Sequence, residues 1–409
     1  MDGPGGVRAS RGRAMEMVVF ALLGALTAFG PVSHDMYLPA LPQVAHDLRV
    51  PEATVQLTLT ASLIGLALGQ VLAGPVSDAL GRRRPLLWGL VVYVVAAGLC
   101  GLAPSASLLI GVRVLQGAGG AAGVVIARSI VRDRSTGAAA ARSFSFLMLI
   151  SGLAPILAPL IGGQVLRVAD WRFIFVLQAL FGMALLFGSW RLLEETLPPE
   201  RRHRGGLLGT LLAFPALARD RRFVGHVAAC ALAFAAMFAY IAGAPFVFEQ
   251  GFGFSPQRFS LLFAINAVGL TVTSQVNGLL VGRLSAAPLL SAGLSATAAG
   301  GLGLAVVGLG GHPVPSLTAA ALFVVVSSLG LVLPNATALA LATRPGATGA
   351  AAAFLGVSQY LVGAAVAPLA GLDVAHPARS MAVAVAIPAI GALVTRLGLA
   401  GGGRPRGPA

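Results

Sequence analysis

Charge is what this sequence has least of. Only 10% of its 409 residues are Asp, Glu, Lys or Arg, whereas 57% are hydrophobic. Soluble domains carry about a quarter charged residues, so a soluble globular protein is excluded. Lysine is absent altogether: all 28 basic residues are arginine, which together with the heavy Ala and Gly usage reads as GC-rich codon bias. The formal net charge of +14 does not make a nucleic-acid binder, because so few charges cannot cover so much apolar mass. Cysteine is nearly missing. Cys100 and Cys230 both lie in apolar runs, which gives neither a disulfide framework nor a metal cluster and leaves two small buried hydrophobes. Zinc-type and P-loop spacings are lacking. The G-x-G run at Gly301 and Gly303 sits in an apolar span without a strand–turn–helix context, so no dinucleotide site follows. These absences predict no metal, no cofactor and no enzyme, and an ATP-driven pump would need its nucleotide domain on another chain. The solvent that fits is a bilayer, with a mean hydropathy of +0.87.

A helix needs about 20 apolar residues to cross the hydrocarbon. Twelve candidates run over residues 16–38, 54–76, 86–103, 106–127, 143–166, 172–193, 223–248, 259–282, 286–309, 315–341, 348–371 and 379–398. The first is too long for a cleavable signal peptide and carries Asp35. With the N-terminus inside, the inner segments hold most of the arginines, among them Arg8, Arg11, Arg13, Arg82, Arg83, Arg84, Arg142, Arg204 and Arg344. The outer segments hold only Arg49, Arg167, Arg172, Arg258 and Arg379, and Arg113 is left within the membrane. This bias predicts both termini on the cytoplasmic side. It also favours the formal positive charge meeting anionic lipid headgroups.

The layout expected is an all-α integral membrane protein in two six-helix halves. Residues 1–15 form a cytoplasmic tail, 16–193 an N-terminal six-helix bundle, 194–222 a hydrophilic central cytoplasmic loop, 223–398 a C-terminal six-helix bundle and 399–409 a second tail, with 1–14 and 400–409 disordered. The halves echo one another weakly: Ala158-Pro-Leu-Ile-Gly162 resembles Ala367-Pro-Leu-Ala-Gly371, and Gly74-Pro-Val-Ser-Asp78 has its counterpart in Gly278-Leu-Leu-Val-Gly282. Two such halves are the plan of a secondary transporter with a central site.

Three segments carry chemistry. Gly74, Asp78, Gly81, Arg82 and Arg83 lie in one loop after span 2, where glycines permit close helix approach and the acid can accept from a helix N-terminus. Arg113-Val-Leu-Gln116-Gly117 places a guanidinium near mid-membrane, at a cost of several kcal/mol unless paired or hydrated. Two roles stay open for it: holding helix backbones together, or tuning a nearby proton-carrying acid. Gly152, Pro155, Pro159, Gly162 and Gly163 run along span 5, where packing and kinking alone would account for them.

Asp35 is the carboxylate placed well inside a span. It either alternates between proton and substrate or caps a helix end at the outer rim. His34 reads as a polar neighbour at that rim, and Glu16 and Glu249 as solvated span ends. A cavity for an amphipathic ligand needs polar and aromatic groups on apolar helices. Gln56, Tyr240, Asn266, Gln275, Asn335, Gln359 and Tyr360 qualify, although each alone also serves as an interhelical hydrogen-bond partner.

The loop G-x-x-x-D-x-x-G-R-R at 74–83 resembles the signature loop of the major facilitator superfamily. R-x-x-Q-G at 113–117 resembles a motif of its proton-coupled members, and [G/A]-P-x-x-G-G at 158–163 resembles the antiporter motif of its exporters. D-M-Y-L-P-A-L-P at 35–42, D-W-R-F-I-F at 170–175, A-Y-I-A-G-A-P-F-V-F at 239–248 and L-P-N-A-T-A-L-A at 333–340 are similar to the Bcr/CflA group of drug exporters, and the likeness spans Met17 to about Leu399. The resemblance implies a twelve-helix fold and drug:proton antiport in the cytoplasmic membrane of a bacterium. Its substrates would be of the bicyclomycin, chloramphenicol or sulfonamide kind, and antibiotic resistance the outcome. It assigns proton coupling to Asp35 and Arg113, adds Met36 and Tyr37 to the substrate residues, and makes the 74–83 loop an inner gate. Gly282 replaces the acid in the second copy of that loop, so any charge interaction there is one-sided. The partners implied are a small-molecule drug, protons and the lipid bilayer, with no nucleic acid, around a monomer. A proton-coupled importer on the same fold, or a membrane sensor that transports nothing, are the alternatives.

Overall fold

The computed structural model describes residues 4–134, 137–202, 206–311, 313–343, 348–373 and 375–400. Among them, eleven helices are long and apolar enough to cross a bilayer, and a bent pair supplies a twelfth. The bent pair is the first span. Helix α1 (Pro4–Thr27) gives way to α2 (Phe29–His34), a single 3₁₀ turn (Leu38–Ala40) and α3 (Leu41–Leu48), with a 49° bend between the two parts. Proline placement explains the break. A proline has no amide to donate and its ring crowds the carbonyl four residues back, so Pro31 and Pro39 disrupt the ladder at Thr27 and Asp35.

The remaining N-terminal spans are α4 (Glu52–Leu80), α5 (Arg83–Gly101), α6 (Ala106–Arg134), α7 (Gly137–Val165) and α8 (Trp171–Leu192). After α9 (Gly206–Ala218) come α10 (Arg221–Pro245), α11 (Pro256–Leu280), α12 (Ala286–Leu309), α13 (Pro315–Ala342), α14 (Thr348–Val366) and α15 (Pro377–Thr395). Caps set several starts. The Asp170 carboxylate accepts from the Arg172 amide at 2.9 Å, Asp220 from the Arg222 amide at 3.0 Å, and Ser255 Oγ from the Arg258 amide at 3.3 Å. The described arginines gather at one end of the bundle, near Arg82 and Arg221, while Arg49, Arg167, Arg172, Arg258 and Arg379 mark the other.

Small residues bring α4 and α6 together. A methyl on Gly117 would strike the Ser62 carbonyl, and one on Gly65 the Val114 carbonyl. Without water to drive association inside a bilayer, this backbone-to-backbone approach maximises dispersion contact.

Two expectations need correction. The stretch 194–222 is not hydrophilic throughout. It contains the apolar helix α9, too short to span, which packs on α4 from one half and on α14 from the other. Phe214 of α9 meets Phe354 of α14 edge-on at 5.1 Å. Nor are residues 4–14 without structure: α1 begins at Pro4, because a helix nucleated in hydrocarbon extends one bond at a time into the interface. Residues 401–409, with Arg404 and Arg406, lie outside the described residues, as do Arg204 and Arg344. So do the side chains of Arg8, Arg11, Arg13, Glu16 and Arg142.

Candidate functional site

The break in the first span opens onto a cavity of about 220 Å³ between the two halves. Gly30, Pro31, His34 and Asp35 form one wall. The facing wall is aromatic and apolar, led by Phe234, Phe238 and Tyr240 of α10 and Phe263 of α11, with Tyr360 from α14. Asp35 is 7% exposed, and among the described residues no hydrogen bond or ion pair reaches its carboxylate. Tyr240 lines the same cavity from the facing wall. The Tyr240 hydroxyl accepts from Asn266 Nδ2 at 2.9 Å, which leaves its own proton free to be donated, and its ring stacks on Phe263 at 5.5 Å. His34 holds the Gly30 carbonyl through Nδ1 at 3.0 Å, while its buried Nε2 has no partner.

Asp35 and His34 therefore line an interior chamber and are not at the outer rim. Glu249 is likewise not a solvated span end: it sits in the π turn Phe246–Gly251 that extends α10, and its Oε1 is sealed from water without a partner.

Arg113 is completely buried and, among the described residues, forms no ion pair with a carboxylate. Its Nη1 donates to the Ser33 carbonyl at 3.0 Å and to Gln116 Oε1 at 2.7 Å, and its Nε to the Thr58 carbonyl at 3.4 Å. The guanidinium also lies over the Tyr37 ring, 5.2 Å from its centroid. Gln116 passes the network to Gln178 at 2.7 Å, and Gln178 Nε2 reaches the Val32 carbonyl at 3.1 Å. This network ties the carbonyls of Val32 and Ser33 in the first span to α4, α6 and α8. Arg113 positions the segment bearing Asp35 and does not pair with its carboxylate.

Of the residues selected from sequence, Asp35, Tyr240, Asn266, Tyr360 and Pro155 border the cavity. Tyr37 is fully buried against Arg113 and Phe175. Met36 offers its carbonyl at the place where a methyl on Gly162 would go. Gln56 Nε2 donates to the Ala242 carbonyl at 3.1 Å, and Asn335 Nδ2 to Asn277 Oδ1 at 2.6 Å. Gln359 Nε2 donates to Cys230 Sγ at 2.9 Å. Gln275 lies in a neighbouring groove of about 680 Å³ between α7, α11 and α13, which shares Pro155, Ala267 and Leu270 with the cavity. His34, Phe234, Met237 and Phe238 were not singled out as cavity residues. The i, i+4 spacing of Phe234 and Phe238 was a readable hint, since it puts both rings on one helix face.

The cavity is closed toward the arginine-poor end. Contacts between the halves seal it there: Gln56 to Ala242, Thr60 Oγ1 to the Ala364 carbonyl at 3.0 Å, and Gln257 Nε2 to the Gly163 carbonyl at 2.6 Å. Gly163 approaches so closely that a methyl there would collide with Ser260 Oγ. Pro159 is buried in α7, and Thr271 Oγ1 donates to the Gly152 carbonyl at 3.4 Å. The groove between α7, α11 and α13 lies on the arginine-rich side of the cavity.

At that end Arg82 joins Asp78 and, through Nε, Asp133 at 2.9 Å. Both acids belong to the N-terminal half. Glu195 accepts from the amides of Arg82 at 2.7 Å and Arg83 at 3.1 Å, capping α5. Burial raises the Glu195 pKa, but the amides of Leu197, Arg82 and Arg83 and the Arg202 charge outweigh it, so the carboxyl lies below its ordinary 4.5. Gly81 takes a φ of 91°, and a side chain there would also strike Glu195. Arg83 Nη2 donates to the Trp190 carbonyl at 2.7 Å, whereas open space surrounds Gly74.

A model of the major facilitator superfamily matches residues 20–368. The chain belongs to the major facilitator superfamily. It is 37% identical over 355 residues to the uncharacterized MFS-type transporter YdgK of Bacillus subtilis, which covers 86% of this chain and 88% of that protein. It is 29% identical over 361 residues to the bicyclomycin resistance protein homolog of Haemophilus influenzae, covering 87% and 90% respectively. Within the superfamily it falls in the Bcr/CflA drug-resistance group. The crystal structure of a D-xylose-proton symporter superposes with a TM-score of 0.70 at 16% identity, covering 92% of this chain and 96% of that one, a likeness of fold. The superfamily member described here is thus a multi-pass membrane transporter and not an enzyme.

Proposed function

We propose that this transporter exports a small amphipathic drug from a bacterial cytoplasm in exchange for protons. Both termini and the arginine-rich loops face the cytoplasm, as the arginine bias supports. The structure then represents a state closed to the outside and accessible from the cytoplasmic half. The observation that carries the reading is the unpartnered Asp35 carboxylate on the wall of an aromatic chamber between the halves.

Drug enters from the groove beside α7, α11 and α13 and displaces the proton of Asp35 toward the cytoplasm. The halves rock, the outer seal opens, and drug leaves. A proton from outside then reloads Asp35 and resets the cycle. At about 220 Å³ the chamber is smaller than the roughly 300–1,000 Å³ of ordinary ligand pockets, so loading also uses the groove or a partial opening. A single chain completes the pathway and acts as a monomer.

The walls favour export of an amphipathic compound over import of a polyhydroxylated nutrient. Apart from His34, Asp35, Tyr240, Asn266 and Tyr360 the lining is apolar or Gly, too few polar groups to replace the hydration of a sugar. The test is drug susceptibility of an efflux-deficient bacterium expressing the chain. Resistance to an amphipathic antibiotic that disappears with Asp35→Asn, at equal membrane expression, supports the reading. Enhanced uptake of a metabolite without resistance replaces it by the importer.

A further inference from the structure

A second concave site lies on the outer surface of the N-terminal half, away from the transport chamber. It is a groove of about 330 Å³ between α4 and α5. Its floor is built from small residues: Gly69 and Ala73 of α4, and Ala118 and Ala122 of α6. Leu72, Val76 and Leu80 form one rim and are 47%, 38% and 56% exposed. Trp88 forms the other and is 71% exposed. Arg84 stands at the mouth, on the arginine-rich side, exposed and outside every ion pair of the described residues.

The dimensions select an occupant. From Gly69 to Leu80 the groove follows α4 for eleven residue steps, or about 16 Å at 1.5 Å per residue. That is close to one leaflet, half of a hydrocarbon core about 30 Å thick. The order of chemistry along the groove also matches one leaflet. Apolar walls lie deep, an indole sits one helical turn inside the cation, and the guanidinium lies at headgroup depth, where tryptophan and arginine serve as interfacial anchors. A guanidinium presents a fork of donors suited to phosphate oxygens.

We propose that this groove is a binding site for an anionic phospholipid of the arginine-rich leaflet, one acyl chain lying in the slot between α4 and α5 and the phosphate held by Arg84. The absence of large side chains from the floor is what leaves room for the chain. Arg84 supplies selectivity for lipids of net negative charge over zwitterionic ones, because a choline headgroup offers the guanidinium a competing cation.

The experiment uses the full chain, purified in mild detergent and exchanged with mixed micelles of dioleoyl phosphatidylglycerol and dioleoyl phosphatidylcholine. Retained lipid is counted by native mass spectrometry. The wild-type chain should hold phosphatidylglycerol in preference to phosphatidylcholine, and Arg84→Gln should reduce that preference about tenfold, as loss of one charge-assisted contact requires. Arg283→Gln, an exposed arginine at the same end, should leave the preference unchanged. Ala118→Leu, which fills the floor, should release the lipid while Arg84 remains, and size-exclusion profiles exclude misfolded variants. Equal retention of both lipids by the wild type overturns the proposal, as does equal loss in Arg84→Gln and Arg283→Gln. A dimer that retains no lipid and separates on Ala118→Leu also overturns it, and assigns the groove to a second copy of this chain.

Discussion

Arg113 donates to the carbonyl oxygen of Ser33 at 3.0 Å, two residues before Asp35, and no contact joins its guanidinium to the Asp35 carboxylate. A cation buried in this way is tolerated because backbone carbonyls of two helices and the Gln116 amide oxygen take the place of its hydration. Its influence on Asp35 is exerted through the backbone: it holds the wall from which the acid projects.

That arrangement predicts additivity. Arg113→Ala leaves the Ser33 and Thr58 carbonyls and Gln116 without their donor and should cost about 2–4 kcal/mol of stability. Asp35→Asn should cost little. A double-mutant cycle on thermal unfolding in detergent should give a coupling below about 0.5 kcal/mol. A coupling of several kcal/mol would show a direct ion pair.

Glycine substitutions should separate packing from gating. Gly117→Ala forces a methyl into the Ser62 carbonyl, so the α4–α6 contact must spread. Overpacking of this kind costs about 1–3 kcal/mol. Gly74→Ala meets open space and should leave the unfolding midpoint where it is. Equal destabilisation of the two variants would contradict the close approach of α4 and α6.

The outer seal rests on few polar contacts. Removing the side-chain donors by Gln56→Ala together with Gln257→Ala takes away two hydrogen bonds between the halves. At about 1 kcal/mol each, the open-outside population should rise about 10- to 30-fold. Spin labels on the two halves at the arginine-poor end should report a longer distance in the double variant. An unchanged distance distribution would place the seal elsewhere.

Acid should weaken the cap on α5. The Glu195 carboxyl has its pKa lowered below 4.5 in the folded chain, so the unfolded chain binds the proton more tightly. Its contribution is complete above about pH 4.5 and falls away as pH drops through the folded value. Glu195→Gln should therefore flatten the acid limb of stability against pH in that window and leave the neutral region with a smaller, pH-independent loss. An identical acid limb in the variant would remove Glu195 from the account.

Most of the architecture was legible because bilayer thickness is a ruler. The span expected at 315–341 is observed at Pro315–Ala342, and that at 286–309 at Ala286–Leu309. The helix α9 was missed because it is apolar but short, and the arginines on either side make the segment read as a loop. The bend in the first span was legible in Pro31 and Pro39, yet its consequence was not. Hydropathy does not tell which side of a broken helix an arginine approaches, so a pair between Asp35 and Arg113 looked as reasonable as the backbone clamp that is found. Gln56 and Asn335 show the same limit. A polar side chain on an apolar helix signals a partner, and only the packing of α4 against α10, or α11 against α13, decides that the partner is another helix.

The most direct measurement uses everted membrane vesicles acidified by respiration and monitored with a pH-sensitive dye. With the wild-type chain, addition of a transported drug should partly collapse the proton gradient while drug accumulates inside. With Asp35→Asn at equal expression, both responses should vanish, although the protein still elutes as a folded monomer. A gradient that collapses to the same extent in Asp35→Asn vesicles would contradict the assignment of proton exchange to this carboxylate.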